Sequence, residues 1–157
     1  MKNSLAPSIS KSFDRTYLDL NDFDTSSVTD MSGMFAECKA KSLDLSSFNT
    51  RNVRYMNSMF NRCKAESLDL SSFDTSNVTN MSFMFRGCIA ESLDLSSFIT
   101  SNVTNMRAMF AECRAKSIDL SSFDVSKVTN MSDMFAECQS VIKCNDSRIL
   151  EEYHKSI

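Results

Sequence analysis

Glycine, proline and tryptophan are almost missing from this sequence: two glycines, one proline and no tryptophan in 157 residues. Chain reversals must therefore be made by Ser, Asn, Asp and Thr, whose side chains close turns onto their own backbone. No apolar run approaches the roughly 20 residues of a membrane-spanning helix, so membrane insertion is not expected. The formal charge is −3. That leaves no basic excess of the kind a nucleic-acid partner would want. The opening segment, MKNSLAPSISKSF, has no apolar stretch of signal-peptide length. On that observation alone a cytoplasmic place stays open. The one histidine, His154, falls in the terminal tail, where a solvated role is expected over a catalytic one.

What the sequence has in abundance is repetition. LDLSSFDTSNVTNMSFMF, residues 68–85, returns as LDLSSFNTRNVRYMNSMF at 43–60 and as LDLSSFITSNVTNMRAMF at 93–110. Looser copies open at Leu18 and Ile118. A fixed period of 25 residues means that one small unit is copied and stacked, because a single unit cannot bury its own apolar side. The boundaries read as 18–42, 43–67, 68–92, 93–117 and 118–142, flanked by end segments 1–17 and 143–157. Five of the six cysteines, Cys38, Cys63, Cys88, Cys113 and Cys138, keep this phase. No pair has the close spacing of a zinc site. They read as one buried core position copied five times, since free cysteine behaves as a small apolar side chain.

Within one unit, Leu68 and Leu70 flank Asp69, the period-two pattern of a short strand. Val78, Met81, Met84, Phe85 and Cys88 then follow at spacings of three, three, one and three, which place them on one side of a helix. Strict threes also fit a tighter helix of three residues per turn. Asp74-Thr75-Ser76-Asn77 lies between, a run of good helix caps, so the column Thr25, Thr50, Thr75 and Thr100 is expected to cap helices. Every methionine after Met1 falls on the two helix positions, and this fixed phase argues for core ladders rather than a ligand groove. Leu5, Ile9, Phe13 and Tyr17 suggest a helix over the first copy, with Pro7 in its first turn. Asp146-Ser147 can start a second helix with Ile149, Leu150, Tyr153 and Ile157 on one face.

The string LDLSSFDTSNVTNMSFMFRGC resembles the BspA-type leucine-rich repeat family of bacterial and protist surface proteins, through L-D-L-S-x-F, D-T-S-x-V-x-x-M and M-F-x-x-C between Leu18 and Cys138. After the cysteine, Lys39-Ala40, Ile89-Ala90 and Arg114-Ala115 depart from the leucine common in that family. Together with the strand–helix reading, the resemblance implies an α/β, right-handed leucine-rich-repeat solenoid: five strand–helix repeats, a concave parallel sheet and terminal caps. It also implies adhesion or other protein contact at a cell surface or in secreted form, with no enzyme activity, no cofactor and no metal.

Two groups of residues are candidates for that contact. Asp19, Asp44, Asp69, Asp94 and Asp119 stand one per strand between inward leucines and should form an outward column of carboxylates. With strands about 4.8 Å apart, like charges on neighbouring rungs repel. Either a cation or a basic partner, such as an extracellular-matrix protein, offsets this, or each Asp bonds the serines beside it. A uniform row gives no asymmetry between acid and base, which argues against hydrolysis. The second group is Tyr55, Phe83, Ile89 and Ile99, apolar where sister copies are polar, as an exposed patch for a partner or a second copy. The expected function is a non-catalytic protein-binding scaffold using the concave face. The alternative is a self-associating structural protein using its helical side or its ends. Glycosylation patterns at Asn77, Asn80, Asn102, Asn130 and Asn145 mostly follow from the repeated N-V-T-N-M-S and carry little weight.

Overall fold

The computed structural model describes Tyr17, Leu18, Leu20 and residues 23–156. The N-terminal helix expected from Leu5, Ile9 and Phe13, like Asp19, lies outside these residues. Extended pieces are very short. β1 (Tyr17–Leu18), β2 (Ser42–Leu43) and β3 (Ser67–Leu68) form one parallel sheet, with Tyr17 beside Ser42 and Ser42 beside Ser67. β4 (Ser117–Asp119) and β5 (Val141–Lys143) form a second parallel sheet, and the fourth copy adds an isolated bridge between Leu93 and Ile118. One helix is described, α1 (Ser147–His154). Among the described residues no helix is long and apolar enough to cross a membrane.

These elements overturn the expected fold. The α/β leucine-rich-repeat solenoid of five strand–helix repeats, with one concave parallel sheet, is not what the chain forms. The segments read as helices within the repeats contain none, whereas the helix expected from Asp146-Ser147 is present as α1, and the strands make two small sheets separated at the fourth copy. Most of the described backbone is turn or irregular loop.

Backbone hydrogen bonding gives the reason. A helix would pair each N–H with the carbonyl four residues back. Here Met56, Ser58, Phe60 and Arg62 donate instead to the carbonyls of Asn80, Ser82, Met84 and Arg86, one copy on, at 2.6–3.0 Å. The residues between them, Met59, Asn61 and Cys63, donate three residues back, to Met56, Ser58 and Phe60. Ser58 and Arg62 take left-handed backbone, with φ of 59° and 55°. The same two phases are left-handed in every copy: Gly33 and Glu37, Phe83 and Gly87, Ala108 and Glu112, Asp133 and Glu137. Each non-glycine residue there costs about 1 kcal/mol. A helical run is broken twice per copy, and lateral bonds between copies take the place of axial ones.

The inward residues still meet as a continuous core. Leu45, Phe48, Val53, Met56, Met59, Phe60, Cys63 and Ala65 are buried, as are their equivalents in the third and fourth copies. Phe35, Phe60, Phe85, Phe110 and Phe135 stack ring on ring, with centroids 5.6–5.9 Å apart and planes within 11° of parallel. Cys38, Cys63, Cys88 and Cys113 are buried free thiols, and burial pushes Cys113 up to about 11.

The threonine column does not cap helices. Thr75 Oγ1 donates to the Ile99 carbonyl at 3.0 Å and accepts from the Ile99 amide at 2.8 Å. Thr25, Thr50 and Thr100 bridge to Asn49, Asp74 and Asp124 in the same way. In the last copy the position is Val125, where no following copy offers a partner.

Beyond that copy α1 covers the end of the core. Asp146 caps it, accepting from the Arg148 amide at 2.9 Å and the Ile149 amide at 3.3 Å. Ile149 is fully buried, and Tyr153 sets its ring edge-on to Phe135 at 5.6 Å. The Arg148 guanidinium donates to the carbonyls of Val125 and Val128 at 2.8 and 2.7 Å.

Candidate functional site

Asp69, Asp94 and Asp119 are exposed and Asp44 is half-buried, and each follows an inward aliphatic residue: Leu43, Leu68, Leu93 or Ile118. Each closes the same tight turn: its Oδ1 accepts from the amide two residues on, at 2.9–3.0 Å, in Ser46, Ser71, Ser96 and Ser121. The Ser46 and Ser71 hydroxyls add second bonds at 2.6 and 2.7 Å. Where Gly and Pro are scarce, this side-chain bond fixes the corner. The same bonds hold the carboxyls below their ordinary range, the serine hydroxyl being the largest cause at Asp44, Asp69 and Asp94. Asp69 acts weakly the other way on both of its neighbours, as like charges on adjacent rungs must. All three stay ionised at neutral pH.

The fourth member differs. Asp119 Oδ2 receives the Lys143 ammonium at 2.7 Å, and this bond, ahead of those from Ser121, lowers its carboxyl furthest. Lys143 lies opposite Asp119 in the β4–β5 pair and closes the row at that end. The sequence hid this partner, because Lys143 follows Asp119 by 24 residues rather than 25. Between the last two rungs, Leu93, Asp94, Ser96, Asp119, Ser121 and Ser122 border a shallow depression of about 200 Å³.

Tyr55, Phe83, Ile89 and Ile99 occupy four different phases of the repeat. Tyr55 and Ile99 are exposed, at 45% and 50%, and Phe83 and Ile89 are half-buried. Phe83 lies under the Arg107 guanidinium, 5.7 Å from its ring centre. Phe83 and Ile89 border separate depressions that share Glu112. Glu112 receives Arg86 Nε at 3.0 Å and has Arg62 at 3.7 Å, an ion cluster across three copies that phase-by-phase reading of the sequence missed. Among the described residues no group of three or more His, Cys, Asp or Glu side chains is arranged to hold a metal ion.

Two of the glycosylation patterns have their amide in use: Asn77 and Asn102 Nδ2 donate to the carbonyls of Arg51 and Ser76 at 2.8 Å.

No curated protein and no solved structure matches the chain. A family profile described as "Mycoplasma protein of unknown function, DUF285" matches it twice, over residues 7–97 and 63–148. The overlap of the two matches fits a sequence built from repeated units. Together they run over most of the length, and the chain belongs to the DUF285 family.

Proposed function

We propose that the chain is a non-catalytic protein-binding scaffold whose recognition surface is the carboxylate row Asp44, Asp69 and Asp94. The observation that carries this reading is the row itself: three ionised carboxylates at the surface in matching turns, with no lysine or arginine paired to them among the described residues. A fixed row of like charge favours a basic partner and speeds its approach. The three carboxyls are also chemically alike. Acid–base catalysis needs two groups pushed apart in proton affinity, and a uniform row lacks that asymmetry. The resemblance of the repeat to BspA-type surface proteins supports adhesion, with a basic extracellular-matrix protein as the partner class.

The test is affinity capture from matrix proteins and cell extract, with the parent beside the triple variant Asp44→Asn, Asp69→Asn, Asp94→Asn. Asparagine keeps the acceptor that closes each turn and removes only the charge. A protein held by the parent and released by an equally stable variant supports the row. Equal retention by both chains removes the row as the site.

A further inference from the structure

We infer that the two ends of the stack are complementary halves of one interface between copies of this chain, and that α1 decides whether the interface can form. The argument is independent of the carboxylate row. In the fourth copy, Met106, Ala108, Phe110 and Glu112 donate their N–H groups to the carbonyls of Asn130, Ser132, Met134 and Ala136 at 2.8–3.0 Å. In the fifth copy the same donor phase is held by Met131, Asp133, Phe135 and Glu137, and among the described residues their N–H groups have no acceptor. At the opposite end, no described N–H donates to the carbonyls of Asp30, Ser32, Met34 or Ala36, which hold the acceptor phase of the first copy.

A fully extended peptide would fit this edge poorly. Left-handed residues at Asp133 and Glu137 (φ 60° and 56°) fold the donor backbone tightly, and the backbone with matching carbonyl spacing is another copy of the same turn. The occupant is therefore the first repeat of a second chain. Phe35 would meet Phe135 as Phe110 does in the same chain, at 5.9 Å and near-parallel. That contact runs head to tail, so each added chain presents the same end for the next.

What occupies the place now is α1. It covers the apolar end with Ile149 and with Tyr153, set at 81° to the Phe135 ring rather than stacked on it. It supplies no acceptor to the four amides. A depression of about 320 Å³ lies between Asn130, Met131 and Ser132 on one side and Glu151 and Glu152 on the other. The helix seals the side chains of the end and leaves its backbone unpaired.

The experiment compares the parent with the double variant Ile149→Ser, Tyr153→Ser, and with the milder Tyr153→Ala in case the double variant fails to fold. Light scattering after gel filtration should show the parent as single chains. The opened variant should form dimers and longer species at tenfold or more lower concentration. Hydrogen exchange should show protection of the Met131, Asp133, Phe135 and Glu137 amides on association. An excess of a peptide spanning residues 143–157 should reverse the assembly. A folded variant that stays single at every concentration overturns the proposal. Association that leaves those four amides unprotected, or a parent that assembles as readily as the variant, overturns it too.

Discussion

At the scale of single residues, the chain accepts a conformational cost at two phases of every copy. Among the described residues eight non-glycine residues sit in left-handed backbone, and both glycines of the sequence occupy the same two phases. In the first four copies inter-copy hydrogen bonds hold these positions, for instance Ser58 to Ser82 at 2.8 Å. The glycines separate backbone demand from space. A Cβ on Gly33 would meet nothing within 4 Å, whereas one on Gly87 would come within 3.0 Å of Arg62 Cγ. Both carry the left-handed penalty of about 1 kcal/mol, partly offset by the lower entropy of the unfolded alanine chain. Gly87→Ala should therefore lower the thermal midpoint more than Gly33→Ala, because the Arg62 side chain must also give by a few tenths of an ångström. Melting followed by circular dichroism decides it. An equal or larger loss at Gly33 would mean that backbone conformation, and not room for the side chain, sets the cost.

At the scale of the element, inward spacing was legible in the sequence and the hydrogen-bond pattern was not. Met56, Met59, Phe60 and Cys63 point inward both in a helix and in the observed turn, since each geometry brings residues three and four apart to one side. Period alone cannot separate the two when a second copy stands ready to take alternate N–H groups. The two glycines at left-handed phases were the available hint. Asp69 was legible as outward-facing, and its bond to Ser71 was one of two readings left open. The threonine column is visible in the sequence but its partner is not, because its bonds run to the next copy and not to its own turn.

That correction carries a prediction with an inverted control. Thr75→Val removes the bridge to both backbone groups of Ile99 and should cost about 1–3 kcal/mol, the usual penalty for an unpaired polar group. Val125→Thr makes the reverse exchange at the one copy with no successor, where the side chain is 2% exposed. It should also destabilise, because the added hydroxyl is buried without a partner. Urea melts of the two variants check this, and a stabilising Val125→Thr would sink the account of why that position is apolar.

For the whole molecule, the stack has a direction, and so should its local stability. The N–H groups of Met56, Ser58, Phe60 and Arg62 and of their equivalents in the third and fourth copies have an acceptor one copy on, while among the described residues those of the fifth have none. Ring contacts follow the same order. Phe85 has near-parallel neighbours on both faces, at 5.7 and 5.8 Å, whereas Phe135 has Phe110 on one face and the edge-on Tyr153 on the other. Amide exchange reports the free energy of the smallest opening that frees a given N–H. Amides of Met81, Phe85 and Met106 require adjacent copies to part, and they should exchange only near the global unfolding limit. Asp133 and Glu137, exposed and without acceptors, should exchange orders of magnitude faster despite lying in the same turn as the buried Met134. Phe110, protected by Met134 at 2.9 Å, marks where the gradient should begin. Residue-resolved hydrogen exchange on the intact chain measures all of these together. Uniform protection through the fifth copy would mean that its amides find acceptors in solution, and the open end would then be closed by a second chain.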